Sequence, residues 1–415
     1  MKRCFACASV WFLAIGCNST SDPNPGTGNK GGANGTGGSV VATGGSANPG
    51  GSGPAAGGTS NGAGGSPAVV GGSANTGGSG GTPASGGSPS NGGTPGSTGG
   101  STGAAGGPAT GGGYKCPAGP FTFTAPTGMA THIAGTPPAD SFNKDAWTNV
   151  EGPVWIGESL YFSEMTNSNM IPPSRILKIT GSTVSVFAMD AGSNGLAVDG
   201  SGNLIGARHK DGSISQFSLT DGAATPLVSM YMNKRFTSPN DLAIRSDGTI
   251  YFSDPSYQNS ANPQGAERLY RATPGPTRTV SVIDGAPMPP NGVTLSPDEK
   301  TLYVAANNGG LKKYAVMTDG SVGTASDFVA GSGGDGMAVD CAGDLFVTGN
   351  GATTVRVYSP AGMLLTTIQL ASGAGNTTNV AFGGADHKTL YITAQGTEGQ
   401  RGVYSIAVSV PGFPY

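Results

Sequence analysis

The stretch Ser238 to Tyr257, SPNDLAIRSDGTIYFSDPSY, decides how the rest of the chain is read. Asn240-Asp241 opens it. Leu242 and Ile244 alternate with small or polar residues, Ser246-Asp247-Gly248 supplies a turn, and Ile250 to Phe252 forms a second apolar run. Period-two patterning around turn residues predicts a β-hairpin. The same design recurs. EGPVWIGESLYFS starts at Glu151, NGLAVDGSGNLIGA at Asn194 and NDLAIRSDGTIYFS at Asn240. NGVTLSPDEKTLYVA follows at Asn291, DGMAVDCAGDLFVT at Asp335 and TNVAFGGADHKTLYIT at Thr378. The intervals of 43, 46, 51, 44 and 43 residues, without helical periodicity, are those of propeller blades. Six copies predict an all-β, six-bladed β-propeller.

Between the repeat cores lie further strand candidates: Arg175–Ile179, Ser213–Phe217, Leu311–Tyr314 and Val355–Tyr358. They supply outer strands, so four-stranded blades fit the period. Phe121-Thr122-Phe123 alternates like an edge strand and is expected to complete the last blade and close the ring.

The 75 glycines are far too many for one evenly built globule. They concentrate before residue 114. Residues 1–16 combine Lys2-Arg3 with an apolar core from Val10 to Ile15, the pattern of a secretory signal too short to span a membrane when mature. Leu13-Ala14-Ile15-Gly16-Cys17 resembles a bacterial lipobox, which implies lipidation of Cys17. Asn18 then favours the outer membrane, leaving the leaflet open. Residues 17–113 are Gly, Ser, Thr, Asn, Pro and Ala with two charges, Asp22 and Lys30, and are expected to stay a disordered tether. Gly58–Gly62 and Gly77–Gly81 match G-x-S-x-G but lack the strand–turn–helix setting of a nucleophile elbow. The propeller is expected over residues 114–415. A net charge of −3, without a basic run, gives no reason to expect nucleic acid. Cys116 and Cys341 are the cysteines of this folded part, and in an exported protein they are expected to pair.

Equivalent positions in successive blades form a ring around the central channel. The first positions here are Glu151, Asn194, Asn240, Asn291, Asp335 and Thr378, oxygen donors throughout. Such a set suits a hard cation, Ca²⁺ first, with Zn²⁺, Mn²⁺ or Mg²⁺ as alternatives. Asn-Gly and Asp-Gly are also ordinary turn dipeptides. Glu151-Gly152-Pro153 breaks that habit with a longer acid, which a turn does not require. His132, His209 and His387 are scattered without a helical pair, which argues against zinc ligation by histidine.

From Tyr114 onward the chain resembles the SMP-30/gluconolactonase family, on its bacterial gluconolactonase-like branch. Carrying the resemblance are Glu151–Trp155, Leu160–Ser163, Ser193–Leu196, Ser238–Tyr257, Asn291–Val293 with Ser296–Asp298, Asp335–Asp340 and Thr378–Gly384. It implies one divalent cation on the axis, held by Glu151, Asn240, Asn291 and Asp335. It implies hydrolysis of a lactone, a sugar lactone or related cyclic ester, with Asp335 as general base. Asn194, His209, Asp241 and Tyr257 are expected to face the substrate. Asp254 and Arg235 are open between rim and surface roles. Glu164 stands where the family has an aspartate, so the following loop from Met165 to Pro173 is expected to differ in shape. A propeller by itself does not imply an enzyme. The alternative is a catalytically silent calcium-binding propeller that serves as a surface binding module. Oligomeric state is left open.

Overall fold

A computed structural model describes residues 115–133, 149–165, 174–259, 261–307, 309–331, 333–349, 351–396 and 399–413. The signal sequence with Cys17, the tether, Tyr114 and the loop after Met165 lie outside the described residues.

After the short β1 (Thr131–His132), the first blade comprises β2 (Asn149–Ile156), β3 (Ser159–Met165), β4 (Ser174–Thr180) and β5 (Thr183–Ala188). The second comprises β6 (Ser193–Val198), β7 (Leu204–Arg208), β8 (Ser213–Phe217) and β9 (Ala224–Val228). A small ribbon, β10 (Met230–Tyr231) with β11 (Lys234–Arg235), leads to the third. That blade holds β12 (Leu242–Ile244), β13 (Ile250–Asp254), β14 (Arg268–Ala272) and β15 (Val280–Ile283). The fourth holds β16 (Pro290–Leu295), β17 (Thr301–Ala306), β18 (Gly310–Ala315) and β19 (Ser326–Val329). The fifth holds β20 (Met337–Val339), β21 (Leu345–Thr348), β22 (Thr354–Tyr358) and β23 (Leu364–Gln369). The sixth is β24 (Asn376–Gly383), β25 (Thr389–Gln395) and β26 (Gly402–Ala407), completed by β1. Every described blade is a four-stranded antiparallel sheet.

The opening stretch is the hairpin its pattern predicts. Leu242 pairs with Phe252 and Ile244 with Ile250. Gly248 takes a φ of 89° in the turn, a left-handed value that glycine adopts without a side-chain clash.

Alternation along each inner strand has a physical use in this ring. Leu242 and Ile244 face the second blade, packing with Ala197, Ile205 and Ile214. Ala243 between them faces the fourth, packing with Val293, Leu295 and Val304. A blade is therefore apolar on both faces, and each core cluster joins two neighbouring blades. The last such cluster packs Val150, Leu160 and Phe162 of the first blade on Val403 of the sixth, so the stack closes on itself. Burial at roughly 25 cal/mol per Å² of apolar surface makes these interfaces the main source of stability.

Ring closure corrects one expectation. The outermost strand of the sixth blade is Thr131–His132, pairing with Ser405 and Tyr404, rather than Phe121–Phe123. Phe123 instead packs against the core between the fifth and sixth blades. An aromatic alternation marks apolar contact on one side, whereas strand pairing also needs a free sheet edge, which Thr131 and His132 reach. The closing segment is tied again at its start, where Cys116 and Cys341 form a disulfide with Cα atoms 5.5 Å apart.

Candidate metal centre on the channel axis

The inner strands β2, β6, β12, β16, β20 and β24 pack each against the next, and β24 returns to β2. Four of them break register at the repeat's first residues: between Glu151 and Val154, Ser193 and Leu196, Pro290 and Val293, and Thr377 and Asn379. A bulge re-aims side chains and releases backbone groups from the ladder. The released groups bond across blades. Gly195 N–H donates to Asn240 O at 2.7 Å, and Gly336 N–H to Thr378 O at 2.7 Å. This close approach dictates the second residue of the repeat. A Cβ on Gly195 would lie 2.5 Å from Asp241 Oδ1, and one on Gly336 would lie 1.9 Å from Asn379 Cγ.

Two repeats carry a side chain at that second position, Asp241 and Asn379. Both are buried. Asp241 Oδ1 accepts from Leu242 N–H at 3.0 Å and Oδ2 from Val293 N–H at 3.1 Å, which joins the third blade to the fourth. Asn379 Oδ1 accepts from Val380 N–H at 2.8 Å, and its amide lies near the carboxyls of Glu151 and Asp241, where it lowers their pKa values against the effect of burial. Below them is a cavity of about 20 Å³, room for one water, lined by Asp241, Val293, Met337, Asn379, Val380 and Phe413 among others.

The acids of the ring press on one another. Burial, then Asp335 and Asp241, hold the Glu151 carboxyl well above the usual carboxylate range. Burial and the charge of Asp241 push Asp335 up to about 8, against a hydrogen bond from Asn291. Burial pushes Asp241 up to about 7. Among the described residues none of the three has an ion-pair partner. Asn291 also donates through Nδ2 to Asn307 Oδ1 at 2.7 Å, which fixes its amide and leaves Oδ1 as an acceptor. Asn240, also buried, places no side-chain hydrogen bond among the described residues. Among the described residues no three acids, histidines or cysteines stand close enough together to hold a metal by themselves; Glu151 and Asp335 with the amides of Asn240 and Asn291 are a set of oxygen donors whose chemistry suits a hard divalent cation.

Other singled-out residues have more varied positions. Thr378 Oγ1 donates to Val150 O at 2.7 Å and latches the sixth blade to the first. Asn194 is buried, its carbonyl against Gly152. His209 is 2% exposed, and its ring nitrogens find no partner among the described residues. Burial and Arg208 lower it to about 3, so it is neutral at pH 7. Tyr257 is half-buried; burial and then Asp335 raise its hydroxyl's pKa, which puts the ring near this acid. Asp254 caps the turn before the hairpin, accepting from Thr237 N–H at 2.9 Å and Ser238 N–H at 2.6 Å. Arg235 bonds the carbonyls of Phe236 and Lys210 and serves the surface. Asn379 was missed by reading first positions only. The signal was there: it and Asp241 are the two non-glycine residues in the second position.

Residues 150–396 match the family described as SMP-30/Gluconolactonase/LRE-like region. A gluconolactonase of Zymomonas mobilis is 28% identical over 281 residues, 59% of this chain and 75% of that protein. The structure of a gluconolactonase from Xanthomonas campestris aligns with a TM-score of 0.54 at 28% identity, covering 69% of this chain and 100% of that one. Regucalcin from Agrobacterium tumefaciens, a calcium-binding protein, aligns with a TM-score of 0.51 at 17% identity over 69% of this chain and 98% of that one. At that identity the likeness is one of fold.

Proposed function

The chain belongs to the SMP-30/gluconolactonase family, and on that premise we propose that it is a Ca²⁺-dependent hydrolase of sugar lactones or related cyclic esters. The observation that carries the reading is the family match over residues 150–396, with the acids Glu151 and Asp335 and the amides Asn240 and Asn291 at the first positions of their repeats. Glu151, Asn240, Asn291 and Asp335 would hold the cation. When bound, it supplies a Lewis acid for the lactone carbonyl and keeps the ring carboxylates ionised.

The chain's own residues do the rest. Asp335 accepts a proton from the attacking water, the role of a general base. Asp241 keeps its carboxylate turned to two backbone N–H groups and holds the third and fourth blades in register around the site. Neutral His209 and half-buried Tyr257 offer polar edges to the substrate's hydroxyls. Water adds across the ring ester, the acyl C–O bond breaks, and a hydroxy acid leaves.

We also read Leu13–Cys17 as a lipidation signal that anchors the protein in the cell envelope through residues 17–113. Mass spectrometry of the mature N-terminus checks this; an unmodified Cys17 would remove the anchor.

The functional test is a pH-stat assay of gluconolactone, smaller aldonolactones, γ-butyrolactones and an acyl-homoserine lactone, with EDTA and Ca²⁺ add-back. Spontaneous gluconolactone opening is subtracted. Metal-dependent turnover of any member supports the reading. Silence across the panel, with Ca²⁺ still raising the melting temperature, favours the binding propeller instead.

A further inference from the structure

We propose that Asn307 is a positioning residue for the cation site: it takes up the amide nitrogen of Asn291 and so leaves the carbonyl oxygen to the cation. The inference rests on the reading of Asn291 as a cation ligand.

The two side chains meet where the ladder of the fourth blade breaks. Pro290 pairs with Ala306 and Val293 with Val304, and the register slips between them, so Asn291 and Gly292 are set off the ladder. A bulge of this kind re-aims the side chain it carries. Asn307 follows the last residue of β17 directly and so stands beside the bulge. Its Oδ1 accepts from Asn291 Nδ2 at 2.7 Å. The backbone of the same turn is pinned by the approach to Asp335. Gly334 N–H donates to Ala306 O at 3.1 Å, and a Cβ on Gly333 would stand 2.2 Å from Asn307 O. Close packing of the fifth blade thus fixes where the Asn307 side chain starts.

An asparagine amide has an oxygen end and a nitrogen end, and a cation takes only the oxygen. When Asn291 Oδ1 serves the cation, its Nδ2 needs an acceptor. Asn291 is 4% exposed, so water is a poor substitute, and a buried donor without a partner is costly. Asn307 Oδ1 is that acceptor, on a side chain that is itself half-buried. An aspartate at 307 would do the same, since a carboxylate accepts and does not donate. A leucine there would leave Nδ2 unpaired and the amide free to turn its wrong end to the site. Asn240, the other amide of the set, places no side-chain hydrogen bond among the described residues, so the two amides are held unequally. Residues that orient a ligand are in general worth about 10–100-fold in metal affinity.

The test is Ca²⁺ titration calorimetry of the purified protein and of its Asn307→Leu and Asn307→Asp variants, which are similar in size while only the second keeps an acceptor. Asn307→Leu is expected to bind Ca²⁺ about tenfold or more weakly. Asn307→Asp is expected to bind it as tightly as the wild type or more so. Asn307→Leu should melt near the wild-type temperature in EDTA, which separates a lost orientation from lost packing. Its lactone hydrolysis should recover as Ca²⁺ is raised. If the leucine variant does not fold, Asn307→Ala removes the same acceptor and should show the same loss. Native affinity in a folded variant without the acceptor overturns the inference and leaves the lactonase reading standing. Equal weakening in Asn307→Leu and Asn307→Asp overturns it too, because the acceptor would not be the cause. A wild-type protein that binds no divalent cation overturns both readings. Affinity lost in Asn307→Leu and kept in Asn307→Asp, without turnover of any lactone, supports the positioning role and removes the hydrolase.

Discussion

Glu164 and Arg175 face each other across β3 and β4 as a wholly buried ion pair, with Arg175 Nη2 2.7 Å and Nε 2.8 Å from Glu164 Oε2. Glu164, which stands where the family has an aspartate, thus has a structural partner within the first blade. Removing one member of such a pair leaves a desolvated charge. Arg175→Met is expected to lower unfolding free energy by about 3–5 kcal/mol in urea titration. The double variant Glu164→Leu with Arg175→Met should recover most of that loss. A double variant no better than the single one would refute this account.

The hairpin turns of the second and fifth blades differ by one informative residue. In the second, Asp199 accepts from Ser201 and Asn203 N–H, and Asn203 Nδ2 donates to Asp199 Oδ2 at 2.8 Å. In the fifth, Asp340 makes the matching backbone bonds to Ala342 and Asp344 N–H, but Asp344 replaces the amide. Among the described residues Asp340 Oδ2 is buried without a hydrogen-bond partner. Burial and the neighbouring Asp344 push Asp340 up to about 7. A raised carboxyl stabilises the fold while protonated. Its contribution is complete below about pH 4, the unfolded value, and is lost as pH rises through 7. Melting temperatures from pH 5 to 9 should therefore fall more steeply in the wild type than in Asp344→Asn, which recreates the Asp199–Asn203 pair. Parallel profiles would contradict the assignment of the slope to Asp340 beside Asp344.

Asp335 is expected to trade stability for function. In cation-free protein its charge raises the cost of ionising Glu151. Asp335→Asn should melt at a higher temperature than wild type in EDTA at pH 8, gain less from added Ca²⁺, and lose turnover. Melting scans with and without Ca²⁺ read the first two, and pH-stat assay the third. A variant that keeps native turnover would end its assignment as base.

The disulfide between Cys116 and Cys341 closes a sequence separation of 225 residues, while the closing strand itself pairs through Thr131 and His132. Cys116→Ser should cost about 2–4 kcal/mol. It should also expose residues 115–130 to protease before the blades. Proteolysis followed by mass spectrometry would locate the first cut, and a first cut within a blade would argue against a clasp at this end.

Much of this was legible in the chain. Repetition at a fixed interval gave the blade count, because each blade must present the same two apolar faces to its neighbours. Alternation in Leu242, Ala243 and Ile244 already encoded which residue packs on which neighbour. The donor positions were legible for a related reason: a repeat places equivalent residues around one axis, so Glu151, Asn291 and Asp335 could be grouped without coordinates.

What required the tertiary structure were contacts between residues that no periodicity relates. Thr131–His132 closes the ring because a free edge on β26 accepts it, and that edge exists only once the sixth blade has formed. Asp241 meets Val293 N–H, and Thr378 meets Val150 O, through folding that brings distant segments together, and local sequence carries no record of the partner. Burial likewise decides charge: Asp199 and Asp340 open the same kind of turn, yet Asp199 meets the Asn203 amide while Asp340 stands beside Asp344 and is pushed up to about 7. The sequence determined the fold and grouped the ring's oxygen donors by repetition, and contacts between neighbouring blades decided which side chains hold that ring in place.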